Sequence, residues 1–127
     1  MAARRRRKGV GRYGNVKKPV IDGIRFDSQR EGHRYLELRT LERAGLIHQL
    51  ECQYRIPIVI GGVEVRYPPD KLGRRGHALA YVADFRYFDE NGAEVIEDVK
   101  MQSGHRTATY RIKRALLLAM GIEILET

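Results

Sequence analysis

The chain has 127 residues, 43% of them hydrophobic, and a formal net charge of +8, with a pI near 9.9. That length suits one domain with a modest core. No apolar run approaches the roughly 20 residues of a membrane span, and no apolar stretch follows the basic N-terminus as it would in a secretory signal. The lone cysteine, Cys52, excludes an internal disulfide and a cysteine-based zinc cluster. Cysteine usage of this kind fits the cytoplasm, and the charge points to a nucleic acid rather than a membrane as partner.

Residues 1–19 read as a disordered basic arm. Arg4, Arg5, Arg6 and Arg7 form a block with Lys8, and three glycines follow. Like charges repel and glycine resists ordering, so the arm is expected to lie along phosphates. Residues 20–127 read as a single folded domain. It opens with an extended segment, Val20-Ile21-Asp22-Gly23-Ile24-Arg25-Phe26, turning at Asp22-Gly23. Ser28 is a good N-cap, and Glu31 three residues later completes a capping box. Tyr35, Leu38, Leu41 and Leu46 then recur at helical spacing, Gly45 marks the helix end, and Arg30, Arg34, Glu37 and Arg39 occupy the other side. Residues 47–60 read as one long strand with Leu50, Cys52, Tyr54, Ile56 and Ile58 on one face; Pro57, lacking a donor, puts it at an edge or a bulge.

Gly61-Gly62 turns the chain into residues 63–67. The loop 68–77 follows, punctuated by proline and glycine and carrying Lys71, Arg74 and Arg75, which are expected to meet a nucleic-acid backbone. Two arms rich in aromatic and β-branched residues come next, around residues 83–88 and 95–100, with Asn91-Gly92 between them, a strong hairpin signal. After a turn near residues 102–105, a second helix is predicted from about Thr107 to Met120. Tyr110, Ile112, Leu116, Leu117 and Met120 are assigned to its core side, and Arg106, Arg111, Lys113 and Arg114 to a basic side. Gly121 stops it, and residues 122–126 form a last strand. The element order αβββαβ makes a mixed α/β or α+β domain, with at least one parallel strand pair across the second helix.

The hairpin carries the chemistry. Side chains in a strand repeat with a period of two, so Ile96, Asp98 and Lys100 share one face while Glu97 and Val99 point to the other. Antiparallel pairing brings Asp84 to Asp98. Two carboxylates are the usual protein share of a Mg²⁺ site, and the Val99 carbonyl can add an oxygen. Lys100 can orient a water or offset the charge of a phosphodiester transition state. Val82, Ile96 and Val99 set these charges near a core, where idle charges are costly. Glu31, besides capping its helix, can aim a third carboxylate at the site. A bulge could exchange Glu97 for Asp98 as the ligand. The competing assignment is a basic nucleic-acid-binding protein in which Asp84, Asp98 and Lys100 form only an ion network. The four histidines show no ligand spacing, and neither a Gly-x-Ser-x-Gly elbow nor a phosphate loop is present.

The order Glu31, Asp84, Asp98-Val99-Lys100, then a helix with Tyr110 and Lys113, resembles the PD-(D/E)XK nuclease superfamily. Tyr81-Val82-Ala83-Asp84-Phe85, Val95-Ile96-Glu97-Asp98-Val99-Lys100 and Tyr110-Arg111-Ile112-Lys113-Arg114 look closer still to a small phage and prophage family within it. The resemblance runs from about residue 20 onward. It implies a restriction-endonuclease-like core, a mixed sheet flanked by helices, and DNA cleavage dependent on Mg²⁺, with Mn²⁺ as a substitute. It makes Asp84 and Asp98 metal ligands together with the Val99 carbonyl, Lys100 the catalytic lysine, and Glu31 an accessory acid. Arg111 and Lys113 would contact DNA. By the same analogy the substrate would be branched DNA, such as a Holliday junction in phage DNA metabolism. The enzyme would be a homodimer in the bacterial host's cytoplasm. Ala83 stands where the superfamily's name has proline, and Met101 where glycine often follows the lysine.

Overall fold

The computed structural model describes residues 18–100, 104 and 106–127. The proposed DNA contacts of Arg4, Arg5, Arg6 and Arg7, and most of the turn at residues 102–105, lie outside the described residues.

The domain opens with a small antiparallel hairpin, β1 (Val20–Ile21) and β2 (Ile24–Arg25). Its turn puts Asp22 at φ 52° and Gly23 at φ 75°, the left-handed pair that a two-residue hairpin loop requires. Helix α1 (Gln29–Arg43) follows, capped by Ser28, whose side chain accepts from the Glu31 N–H at 3.1 Å. Gly45 leaves the helix at φ 75°. Tyr35 and Leu38 are buried on α1, whereas Leu46 lies past the helix and is exposed.

The long strand expected over residues 47–60 is two pieces, β3 (His48–Pro57) and β4 (Val59–Ile60), and β4 pairs with β5 (Val63–Glu64) as a separate hairpin. Pro57 ends β3, and β3 is an edge strand of the main sheet, as a residue without an N–H donor demands. Beyond β5, the 63–67 segment is reduced to a single bridge between Arg66 and Ala78. The main sheet then takes β6 (Ala80–Phe88) and β7 (Glu94–Asp98), and after helix α2 (Ala108–Ala119) it ends in β8 (Leu125–Glu126). Its order is β3-β6-β7-β8. The first two pairings are antiparallel, and the pairing of β7 with β8 across α2 is parallel. The molecule is therefore a mixed α+β domain of two helices, a four-stranded mixed sheet and small hairpins. The last strand is shorter than expected, because residues 122–124 lie outside it.

Two apolar clusters hold this together, each closed by one helix. Phe26, Tyr35, Leu38, Ile47, Phe85 and Tyr87 gather under α1, with the Phe26 and Tyr35 rings 5.1 Å apart. Tyr110 and Leu117 of α2 pack with Ile56, Ile58, Tyr81, Ala83, Ile96 and Ile124. Ile112, expected on the core side of α2, is exposed. It stands two residues from Tyr110, about 200° around the helix, so both cannot face the same core. No helix among the described residues is long and apolar enough to cross a membrane.

Candidate active site

The β6–β7 hairpin turns through Asp89, whose side chain accepts from the N–H groups of Asn91 and Ala93 at 2.9 Å each. Gly92 at φ 77° completes the turn. The ladder runs from Phe88 opposite Glu94 to Phe85 opposite Glu97. Beyond that last pair, side chains take over from the backbone. Asp84 N–H donates to Asp98 Oδ1 at 3.2 Å, and Val99 N–H donates to Asp84 Oδ2 at 2.8 Å. The two carboxylates are thus held side by side at the open end of the hairpin. On the other flank of β7, Thr127 N–H donates to the Asp98 carbonyl at 2.9 Å and Lys100 N–H to the Thr127 carbonyl at 2.8 Å.

Lys100 Nζ stands 3.1 Å from Asp98 Oδ2 and 4.2 Å from the centre of the Tyr110 ring, so the ring face and the carboxylate share its charge. Lys100 is thus the partner of this buried oxygen, which has no other among the described residues. Burial pushes both carboxyls above their ordinary range. For Asp98 the charge of Lys100 works against the shift, and for Asp84 the Val99 N–H and Lys100 do so. A buried carboxylate in such a setting favours either a proton or a cation.

Glu31 caps its own helix through both backbone and side chain. Its backbone N–H completes the Ser28 cap, and its carboxylate accepts from Asp27 N–H at 3.3 Å. It is partly buried, and its pKa is raised first by burial and then by the negative charge of Asp84. Asp27 also adds to the negative field around Glu31 and Asp84, although Lys18 pairs with it at 3.0 Å. From sequence, Asp27 only opens the helix together with Ser28.

Glu97 and Asp98 are adjacent acids with different surroundings. Glu97 is fully buried. Arg34 Nε and Nη2 donate to it at 2.5 and 3.1 Å, Tyr87 Oη at 2.8 Å and Thr127 Oγ1 at 2.9 Å. Its lone pairs are spent on structure, whereas the Asp98 carboxylate meets, among the described residues, only the Asp84 N–H and the Lys100 ammonium. Arg34, expected on the solvent side of α1, is therefore a structural counter-ion. Val82, read as an apolar neighbour of the site, is mostly exposed.

A second polar cluster adjoins the first through Tyr110. Its hydroxyl donates to Glu126 Oε1 at 2.9 Å, Arg114 Nη1 donates to the same oxygen at 2.6 Å, and Arg106 Nη2 to Oε2 at 2.6 Å. Glu126 was read from sequence only as a strand residue. Of the proposed DNA contacts, Lys71, Arg74 and Arg75 lie on an exposed loop and Arg111 is exposed on α2, while Lys113 is partly buried. Arg74 is engaged locally, donating through Nε to Asp70 at 2.5 Å. Gln53, at φ 54°, donates its side-chain amide to the Arg25 carbonyl at 2.9 Å.

Among the described residues, no group of three or more His, Cys, Asp or Glu side chains is gathered so as to hold a metal ion. Asp84 and Asp98, joined by the hairpin's closing hydrogen bonds, are two carboxylates only. No curated protein and no solved structure gives a significant match to the chain. A family model does match over residues 11–123, and the chain belongs to that family, DUF1064, described as a protein of unknown function.

Proposed function

We propose that the chain is a metal-dependent DNA endonuclease of the PD-(D/E)XK superfamily, and that its mixed sheet and two helices are a restriction-endonuclease-like core. The supporting observation is the reciprocal clamp that holds Asp84 beside Asp98 at the end of the hairpin. Asp98 there is almost fully buried, with Lys100 paired to its Oδ2 at 3.1 Å. Idle charges are not normally kept in such a place.

The donor set fits Mg²⁺, or Mn²⁺ in its place. Two carboxylates are the usual protein contribution, with water, substrate and, in this chain, the Val99 carbonyl making up the remainder. When bound, the ion supplies Lewis-acid activation of the phosphate and of an attacking water. The chain's own part is positional and electrostatic. The β6–β7 clamp fixes the two acids. Lys100, steadied by the Tyr110 ring, presents a positive charge to the phosphoryl oxygens on which negative charge develops. Glu31, partly buried beside Asp84 with a raised pKa, is suited to hold a proton there. A homodimer would carry two such sites for two strands, which suits branched DNA.

One observation favours a second reading. Lys100 already offsets Asp98, as it would in a structural ion network of a non-catalytic DNA-binding protein. Labelled linear duplex, single strand, flap and four-way junction, incubated with Mg²⁺ or Mn²⁺ and with excess chelator, separate the two. The nuclease cuts at least one of them and the chelator stops it. The binding protein retains all of them uncut in every condition.

A further inference from the structure

Against Tyr110, whose ring carries Lys100, a groove of about 410 Å³ is lined by Arg106, Tyr110, Arg111, Arg114, Ala115 and Leu118. Three guanidiniums border it, and Glu126 is the acid bound to two of them. Glu126 holds Arg106 and Arg114 in fixed orientations, and the hydroxyl of Tyr110 points to the same carboxylate. Arg111 is exposed at the rim. Three guanidiniums and one carboxylate meet here, and planar guanidinium forks suit phosphate oxygens. Tyr110 is a shared wall: its ring carries Lys100 and its hydroxyl lines the arginine cluster.

We infer that this groove on α2 is a phosphate subsite, holding the DNA backbone next to the phosphodiester at Asp84 and Asp98. Arg111 is its direct contact, and Glu126 is a positioning residue for Arg106 and Arg114. The inference rests on the nuclease reading above for its neighbour but not for its chemistry. Contact is made to the backbone, so it carries no sequence preference. Exposed Leu118 gives the groove an apolar edge against which sugars can lie.

The test is binding of labelled four-way junction and duplex DNA in chelator, by fluorescence anisotropy over a range of salt. The proteins are the wild type, Arg111→Ala and, as an equal loss of charge elsewhere, Arg43→Ala at the end of α1. Removing one backbone contact should weaken binding about 3- to 10-fold and flatten the slope of log affinity against log salt by about 1. Arg43→Ala should do neither. Equal effects from both variants, or none from Arg111→Ala, would overturn the subsite. Cleavage with Mg²⁺ is followed in parallel. An uncut panel with the Arg111-specific loss intact would remove the catalytic reading and leave the groove. Normal cutting with unchanged binding and KM in Arg111→Ala would do the reverse.

Discussion

Arg34 on α1 grips Glu97 on β7 through two of its nitrogens, at 2.5 and 3.1 Å, across 63 positions of sequence. Glu97 has no exposed surface, so this contact ties the helix to the strand that carries Asp98. Breaking a buried pair by deleting one partner leaves the other charge uncompensated. Arg34→Ala should therefore cost about 3–5 kcal/mol, read from the urea midpoint. Glu97→Gln, which keeps a shape able to meet Tyr87 and Thr127, should cost less. If Arg34→Ala unfolds at the wild-type midpoint, the link between helix and strand is not structural.

Asp98 is expected to trade stability for function. It is almost fully buried beside another carboxylate, and its pKa is raised despite Lys100. Asp98→Asn keeps the oxygen that meets the Asp84 N–H and removes the buried charge, so without metal its Tm should exceed that of the wild type. Mg²⁺ should then raise the wild-type Tm, because a ligand that binds only the folded state stabilises it by about 1.4 kcal/mol at ten times its Kd. The variant should not respond. A Mg²⁺-induced shift of the same size in both proteins would remove Asp98 from the metal site.

Glu126 makes the opposite contribution. Hydrogen bonds from Arg106 and then Tyr110 hold its pKa below the ordinary value. Below that value the unfolded chain binds a proton that the folded chain refuses. The stabilisation is therefore complete above the ordinary glutamate pKa of about 4.3, and it is lost as pH falls through the lower folded value. Glu126→Gln should be less stable than the wild type near neutrality, with the gap closing at acid pH. A gap that is constant with pH would mean that the carboxylate's charge is not what the arginines hold.

Much of this arrangement was legible from local chemistry. Asp22-Gly23 and Asn91-Gly92 mark their turns because left-handed backbone limits what can stand there. Ser28 announces α1, and the two-residue repeat around Asp84 and Asp98 predicts that they meet. What escaped was long-range or a matter of phase. Nothing near Arg34 says that its partner lies on β7, so a helix polar on that side looked solvated. The apolar count on α2 admitted Ile112, although helical geometry turns it away from Tyr110. The strand read through residue 60 stops at Pro57, where the ladder with β6 ends and β4 turns to pair with β5. Glu97 and Asp98 are indistinguishable as letters. Only the donors converging on Glu97 separate the structural acid from the available one.

Lys100 tests the electrostatic part of the account. Its Nζ lies on Asp98 and over Tyr110, and losing one such charge at a transition state typically costs about 10²–10³ in kcat. Lys100→Ala should show that loss with KM for DNA little changed. A change confined to KM would make Lys100 a binding residue.

The most direct measurement compares wild type with Asp98→Asn on a labelled four-way junction in Mg²⁺, with binding followed separately in chelator. The account predicts that the wild type cuts, the variant does not, and both bind alike without metal. Cutting by Asp98→Asn at the wild-type rate would contradict it, and so would a wild type that binds the DNA panel tightly and cuts none of it.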